Sequence, residues 1–435
     1  SFLIRLDDIF RTMNTFTKEI WPNGLRAVYA PMASTQTLTI LVLVGTGSRY
    51  ETKDINGISH FLEHMFFKGT AKRPGKSDIA HELDAVGAAY NAFTDKELTG
   101  YWVKVDARHG DLAFDVVSDI FLNSTIPAEE IEKERGVIIG EIDMYEDTPM
   151  RKIGDLFEEL LYGDQPAGWD IAGRKEVIRS LTRQNFLDYL DKHYKSQNVT
   201  VAVAGHIGLD EAKAKVQKYF GGVREGQTEK PLACSESQLN PQVKVSYKDT
   251  DQCHLILGAR AYDIFDPRRW ALGLLATILG GGMSSRLFIR IRDELGLGYY
   301  IRAASALSSD HGYFEVSSGV DTKRIHEAVE AIMEELRKAR RDGVTEKELQ
   351  KAKDFIKGGT LISLESSDEV ASFFGLQEVL TRDILTVEQK FSMMDKVTSD
   401  DVKKVSEDIY QNKNLNLALI GPLKDKEGFE KVLKF

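Results

Sequence analysis

The sequence has little cysteine and no long apolar run. Its 435 residues include two cysteines, Cys234 and Cys253, whose spacing fits no zinc ribbon or redox motif. So sparse a usage is typical of a reducing compartment, and both are interpreted as ordinary thiols. No stretch of about 18 uncharged apolar residues is present, so the sequence predicts no membrane span and no membrane partner.

The sequence also lacks an excess of basic residues. It contains 57 lysines and arginines against 67 acidic residues, a formal net charge of −10. Because phosphate binding needs a basic face, no nucleic acid is expected as a partner. The acidic surface could attract basic peptides or could simply keep the protein soluble, and the charge alone does not decide between these interpretations.

The N-terminal segment gives no targeting signal. Residues 1–12 contain four charged residues and no apolar core, so they are not expected to form a secretory signal. Met13 then precedes a more regular pattern. Residues 1–12 are interpreted either as an upstream extension or as residues added to the natural chain.

An internal repeat predicts two similar domains. Residues 182–207 and 398–423 match at a constant offset of 216, and each reads as a helix, an Asn turn and a buried strand ending in Gly. Between the copies, residues 221–242 have a composition rich in Gly, Pro, Ser and charge, and residues 226–242 are interpreted as the linker. We therefore predict an α+β fold of two homologous domains, 13–225 and 243–435, each a mostly antiparallel sheet packed with helices.

The motif HFLEH at residues 60–64 is the first candidate for a functional site. On a helix, His60 and His64 project from one face one turn apart, so both rings can reach a single tetrahedral ion. Glu63 lies beside them, in the inverted order H-x-x-E-H. A surface helix with two satisfied histidines would give the same pattern, and the motif alone does not exclude it.

A catalytic zinc needs a third protein ligand and an open fourth position. The segment 127–147 reads as a helix in which Glu134 and Glu141 are seven residues apart and so face the same way. They are candidates for the missing ligand. They could equally be two acids on a solvated face.

Together these features resemble the pitrilysin–insulysin family, most closely its processing-peptidase branch. The resemblance rests on HFLEHMFFKGT, on Glu141 after an interval of 76 residues, and on residues 87–102, 182–207 and 280–300, and it covers nearly the whole chain. It implies that His60, His64 and Glu141 bind Zn²⁺. It further implies that Glu63 is the base that activates water and that Glu134 supports the site.

The second half of the chain lacks these ligands but carries Arg292 and Tyr299, seven residues apart. They could be a helix-capping Arg and a core Tyr, but the resemblance implies that they contact substrate near the zinc. Relatives form a clamshell of four repeated domains around a closed chamber. Because this chain has two, the resemblance implies a homodimer in which one subunit completes the zinc site of the other.

The resemblance also implies how a substrate binds and what happens to it. A peptide should add as a strand beside residues 90–94, in which Asn91, Ala92 and Phe93 are the candidate substrate-binding residues. The expected function is that of a zinc endopeptidase acting on peptides or unfolded segments. The alternative is a non-catalytic core or partner subunit of the same fold, which would typically have lost ligands or the base. A prokaryotic cytoplasmic location is favoured, although a mitochondrial matrix protein without its targeting peptide would look similar.

Overall fold

The computed structural model describes residues 15–435, which form an α+β structure with two β-sheets and many helices. Residues 1–12, interpreted from the sequence as an upstream extension or as added residues, lie outside the described residues. So do residues 13 and 14, the first two residues of the predicted first domain. Within 15–435, no helix is both long enough and apolar enough to cross a membrane.

The first sheet has six strands in the order β1-β2-β6-β3-β5-β4. Its strands are β1 (Thr17–Ile20), β2 (Arg26–Pro31), β3 (Thr37–Val44), β4 (Ala89–Thr94), β5 (Thr99–Asp106) and β6 (Val199–Gly205). Strands β2 and β6 are parallel, and all the other pairs are antiparallel. The central strands β3 and β6 are β-branched and apolar, and nearly every residue in them is buried because both faces of the sheet are covered.

The second sheet repeats this topology. It is built from β7 (Gln242–Tyr247), β8 (Gln252–Arg260), β9 (Gly298–Leu307), β10 (Gly312–Asp321) and β11 (Leu415–Gly421), in the order β7-β11-β8-β10-β9. As in the first sheet, one parallel pair is followed by three antiparallel pairs. Strand β11 takes the place of β6 at the offset of 216 found in the sequence.

Fifteen α-helices lie in the described residues. They are α1 (Ile58–Met65), α2 (Asp78–Asp84), α3 (Gly110–Asn123), α4 (Ala128–Glu146), α5 (Pro149–Tyr162), α6 (Lys175–Ser180), α7 (Arg183–His193), α8 (Leu209–Phe220), α9 (Arg269–Gly280), α10 (Ile325–Asp342), α11 (Glu346–Ser363), α12 (Ser367–Thr381), α13 (Val387–Asp395), α14 (Ser399–Ile409) and α15 (Glu427–Val432). Helices α7 and α14 both begin with a capping box, at Thr182 and Thr398. The equivalence predicted from the repeat therefore extends to the way these helices start.

The two compact units do not follow the predicted domain borders. One consists of residues 15–142, 170–232 and 360–389, and the other contains the rest of the described chain. Helix α12 packs on β3 and β6, and helix α5 packs on β8 and β11. Each sheet is therefore covered in part by a helix from the other half of the sequence.

Helix α12 is held in the first unit by close packing and by charge. A Cβ atom on Gly375 would lie 2.9 Å from the Leu43 side chain, so glycine permits the close approach to β3. The Glu378 side chain is fully buried, 2.7 Å from Lys18 Nζ and 3.2 Å from Arg26 Nε. Removing either cation would leave a buried carboxylate poorly compensated, which is costly.

Candidate metal centre

Helix α1 is fixed at its N-terminus by a buried carboxylate. Glu51 accepts hydrogen bonds from Gly57 N at 2.7 Å, Ser59 N at 2.8 Å and Asn56 Nδ2 at 2.9 Å. Burial raises the pKa of Glu51 to about 7, and these donors oppose that rise. A carboxylate at this position satisfies backbone N–H groups that the helix itself leaves unpaired.

One face of α1 packs into the core, and the opposite face carries the motif residues. Ile58, Phe61, Leu62 and Met65 are fully buried in the core of the first unit. This packing leaves His60, Glu63 and His64 on the other face, as the spacing of the motif predicts.

His60, His64 and Glu141 come together as a possible ligand set. The Nε2 atoms of both histidines lie 3.6 Å from Glu141 Oε2, and the three ligand atoms are all within 4.8 Å of one another. Ligand atoms held tetrahedrally at about 2.0–2.1 Å from zinc are about 3.4 Å apart, so the arrangement fits the ion. Within residues 15–435, this is the one group of His, Cys, Asp and Glu side chains close enough to hold a metal.

The state of the histidines suits metal binding. Burial and, to a smaller extent, the neighbouring His64 lower the pKa of His60 to about 4, which keeps its ring neutral. Glu134 Oε2 lies 3.2 Å from His64 Nδ1, and its other oxygen lies 2.7 Å from Lys68 Nζ. A proton on Nδ1 directed at Glu134 leaves the Nε2 lone pair facing Glu141. Glu134, which is 7% exposed, thus contacts the ring nitrogen of His64 that faces away from Glu141.

Glu63 lies beside these ligands and has a partner that the sequence did not predict. Thr94 Oγ1, at the end of β4, donates a 2.6 Å hydrogen bond to Glu63 Oε2. Burial raises the pKa of Glu63. The one hint in the sequence is that Thr94 is the last residue of the predicted substrate strand, residues 90–94.

Strand β4 has the exposure that strand addition requires, because it lies at the edge of the first sheet. Asn91 is exposed, and Ala92 is buried. Phe93 lies across the neighbouring strand, where a Cβ atom on Gly100 would come within 2.4 Å of its ring. The Phe93 side chain therefore packs on the sheet itself.

The sequence is similar to known peptidases along most of its length. Residues 26–174 match the family described as Insulinase (Peptidase family M16), and residues 180–355 match the Peptidase M16 inactive domain. The chain is 35% identical over 400 residues to a protein from Bacillus subtilis that is named uncharacterized zinc protease. The aligned residues cover 92% of this chain and 97% of that protein. The chain belongs to the M16 peptidase family.

A second relative supports the same assignment. It is an uncharacterized zinc protease from Streptomyces coelicolor, 34% identical over 421 residues, which cover 95% of this chain and 91% of that protein. As a member of the M16 family, the protein is a zinc metallopeptidase with Zn²⁺ as its cofactor.

Solved structures agree on the fold. A protease from Helicobacter pylori superposes with a TM-score of 0.87 at 21% identity, covering 94% of this chain and all of that one. An M16 inactive domain from Pseudomonas fluorescens also gives 0.87, at 17% identity, with 94% and 99% covered. The two-sheet α+β architecture is therefore that of M16 structures.

The second unit of this M16 peptidase has no equivalent ligand set. In this part of the repeat the offset is 212, and His60, Glu63 and His64 then correspond to three buried apolar residues of helix α9: Leu272, Leu275 and Ala276. They fall within the match to the inactive domain.

Arg292 and Tyr299 also lie in this second unit, and both are exposed. Arg292 is on a π-helix (Phe288–Glu294), with its guanidinium 4.9 Å from the centre of the Phe288 ring. Tyr299, at the start of β9, is 61% exposed. The interpretation of Tyr299 as a core residue is therefore wrong.

Proposed function

We propose that this M16 peptidase is an endopeptidase that hydrolyses peptides or unfolded segments at the site on α1 and α4. The observation that carries the proposal is the convergence of His60, His64 and Glu141 within 4.8 Å, with Glu63 on the same helix face. His60, His64 and Glu141 would hold Zn²⁺, which acts as a Lewis acid and lowers the pKa of water towards about 7.

Glu63 is assigned the proton transfers. Its carboxylate takes a proton from water as the water oxygen attacks the scissile carbonyl carbon. It then delivers that proton to the leaving amine nitrogen as the C–N bond breaks. A partly buried carboxylate suits this work because its raised pKa brings it closer to the working pH.

Glu134 is assigned a supporting role. By accepting from His64 Nδ1, it keeps the His64 ring in one orientation and one tautomer. Lys68 Nζ balances the charge of this carboxylate from its other oxygen.

Substrate binding is assigned to the edge of β4. A peptide paired with the main chain of Asn91, Ala92 and Phe93 would be held by hydrogen bonds that carry little sequence information. Specificity then depends on side-chain pockets and on the size of the proposed closed chamber. That dependence favours short or unfolded segments.

We further propose a homodimer in which Arg292 and Tyr299 of one subunit act at the zinc site of the other, in the cytoplasm. In these roles Tyr299 donates to the carbonyl oxygen as it becomes negative, and Arg292 binds the peptide backbone. The support is the resemblance, the exposure of both side chains and the presence of both motifs in one chain. A non-catalytic role would be expected to lack a ligand or the base, whereas here all are present.

Removal of the metal is the direct test of the proposed function. Treatment with a chelator should lower cleavage of quenched peptides by about a hundredfold or more, because His60, His64 and Glu141 alone supply no Lewis acid. Zinc should restore the activity, and magnesium, which prefers oxygen ligands, should not. Cleavage that persists after zinc has been shown to be absent would contradict the proposal.

A further inference from the structure

We propose that Thr94 is a positioning residue for the base: its hydroxyl holds the Glu63 carboxylate in place beside the metal ligands. This inference rests on the proposed function and extends it to a residue outside the ligand set. Within residues 15–435, the 2.6 Å bond from Thr94 Oγ1 is the one hydrogen bond that the Glu63 carboxylate makes. Hydrogen bonds to a carboxylate are short and strong, and this one restricts a side chain with considerable rotamer freedom.

The main chain fixes Thr94 relative to the segment that leads into α1. The turn between β4 and β5 accepts hydrogen bonds from this segment: Ser48 N donates to Asp95 O at 3.2 Å, and Arg49 N donates to Lys96 O at 2.8 Å. A Cβ atom on Gly47 would lie 2.0 Å from Asp95 O, so only glycine permits this approach. Thr94 immediately precedes this anchored turn.

Buried charges strengthen the same connection. The Arg49 side chain is almost fully buried and forms an ion pair with Glu97 in the turn. Two residues later, Glu51 caps α1, which carries Glu63. Thr94 and Glu63 are therefore both tied to residues 47–51, and their separation is set by rigid elements.

This geometry also connects substrate binding to the base. Thr94 is the last residue of β4, next to the proposed substrate-pairing residues Asn91–Phe93. A peptide that adds to this edge is aligned with the strand whose final side chain orients Glu63. Strand β4 therefore sets both the register of the bound peptide and the orientation of the Glu63 carboxylate.

The test replaces the hydroxyl while keeping the shape of the side chain. Thr94→Val should lower kcat for peptide cleavage about tenfold, while KM and zinc content stay within about twofold of wild type. Thr94→Ser should recover most of the loss because it restores the donor. Added to Glu63→Gln, Thr94→Val should cause no further loss, since it acts through Glu63.

The matched control is Thr99→Val in the same hairpin. Thr99 Oγ1 donates to Thr46 O at 2.9 Å, a buried hydrogen bond that does not involve Glu63, so kcat should stay within about twofold. Equal losses in the two valine variants would overturn the proposal, because loosening of the hairpin would explain both. If Thr94→Val does not fold, Thr94→Ala takes its place in the same comparison.

Two further results would overturn the role of Thr94: an unchanged kcat in Thr94→Val, or no recovery in Thr94→Ser. If the wild type cleaves in a zinc-dependent way and Glu63→Gln does not, such a result removes Thr94 alone. If the wild type shows no zinc-dependent cleavage, the proposed function fails together with the role of Thr94.

Discussion

Replacement of Glu63 by glutamine is expected to lower peptide cleavage by about a hundredfold or more, with the zinc content unchanged. Glutamine keeps the shape of the side chain and can still accept from Thr94 Oγ1, but its amide cannot take a proton from water. His60, His64 and Glu141 are untouched by the change, so metal binding should persist. Initial rates on a quenched peptide and zinc analysis of the same preparation measure both effects.

The matched control for this variant is Glu132→Gln on α4, a change of the same chemistry at an exposed glutamate. Its activity should equal that of the wild type. Near-normal cleavage by Glu63→Gln would show that another group accepts the proton. Loss of zinc from Glu63→Gln would instead place Glu63 among the groups that stabilise the metal.

Subunits that carry different defects are expected to restore each other's activity. Glu63→Gln lacks the base and Arg292→Ala lacks the substrate contact, so each homodimer should be nearly inactive. In the proposed arrangement, a mixed dimer has one intact site, made of Glu63 from one subunit and Arg292 from the other. Random pairing after co-expression should then recover about a quarter of wild-type activity.

Two comparisons sharpen this experiment. If Arg292 acted at the zinc site of its own chain, every site in a mixed dimer would be defective, and no activity would return. Co-expression of Glu63→Gln with Glu63→Gln/Arg292→Ala should also stay inactive, because no subunit then carries the base. A fully active monomer in solution would contradict the proposed homodimer.

Much of the fold follows from patterns that are local in the sequence. The repeat at offset 216 predicted equivalent strands, and β6 and β11 occupy the same place in their sheets. The five-residue motif predicted the face of α1 that carries His60 and His64, because i and i+4 spacing depends only on helix geometry. The seven-residue spacing likewise predicted that Glu134 and Glu141 share a face of α4.

Other features depend on contacts between distant segments and could not be predicted from local patterns. The exchange of α5 and α12 between the two sheets reflects close packing at positions such as Gly375 and Gly258. Thr94 lies 31 residues from Glu63, and its hydroxyl reaches the carboxylate next to a β4–β5 turn that main-chain hydrogen bonds tie to residues 48 and 49. The ion pair between Lys68 and Glu134 likewise joins two segments that are 66 residues apart in the sequence.

The most direct test of the metal centre is anomalous diffraction at the zinc edge from crystals of the zinc-loaded protein. One strong peak per chain is expected, about 2.0–2.1 Å from Nε2 of His60 and of His64 and bonded to a Glu141 oxygen. A peak elsewhere, a second peak of equal strength in the same chain, or no peak at this site would contradict the assignment of these three ligands.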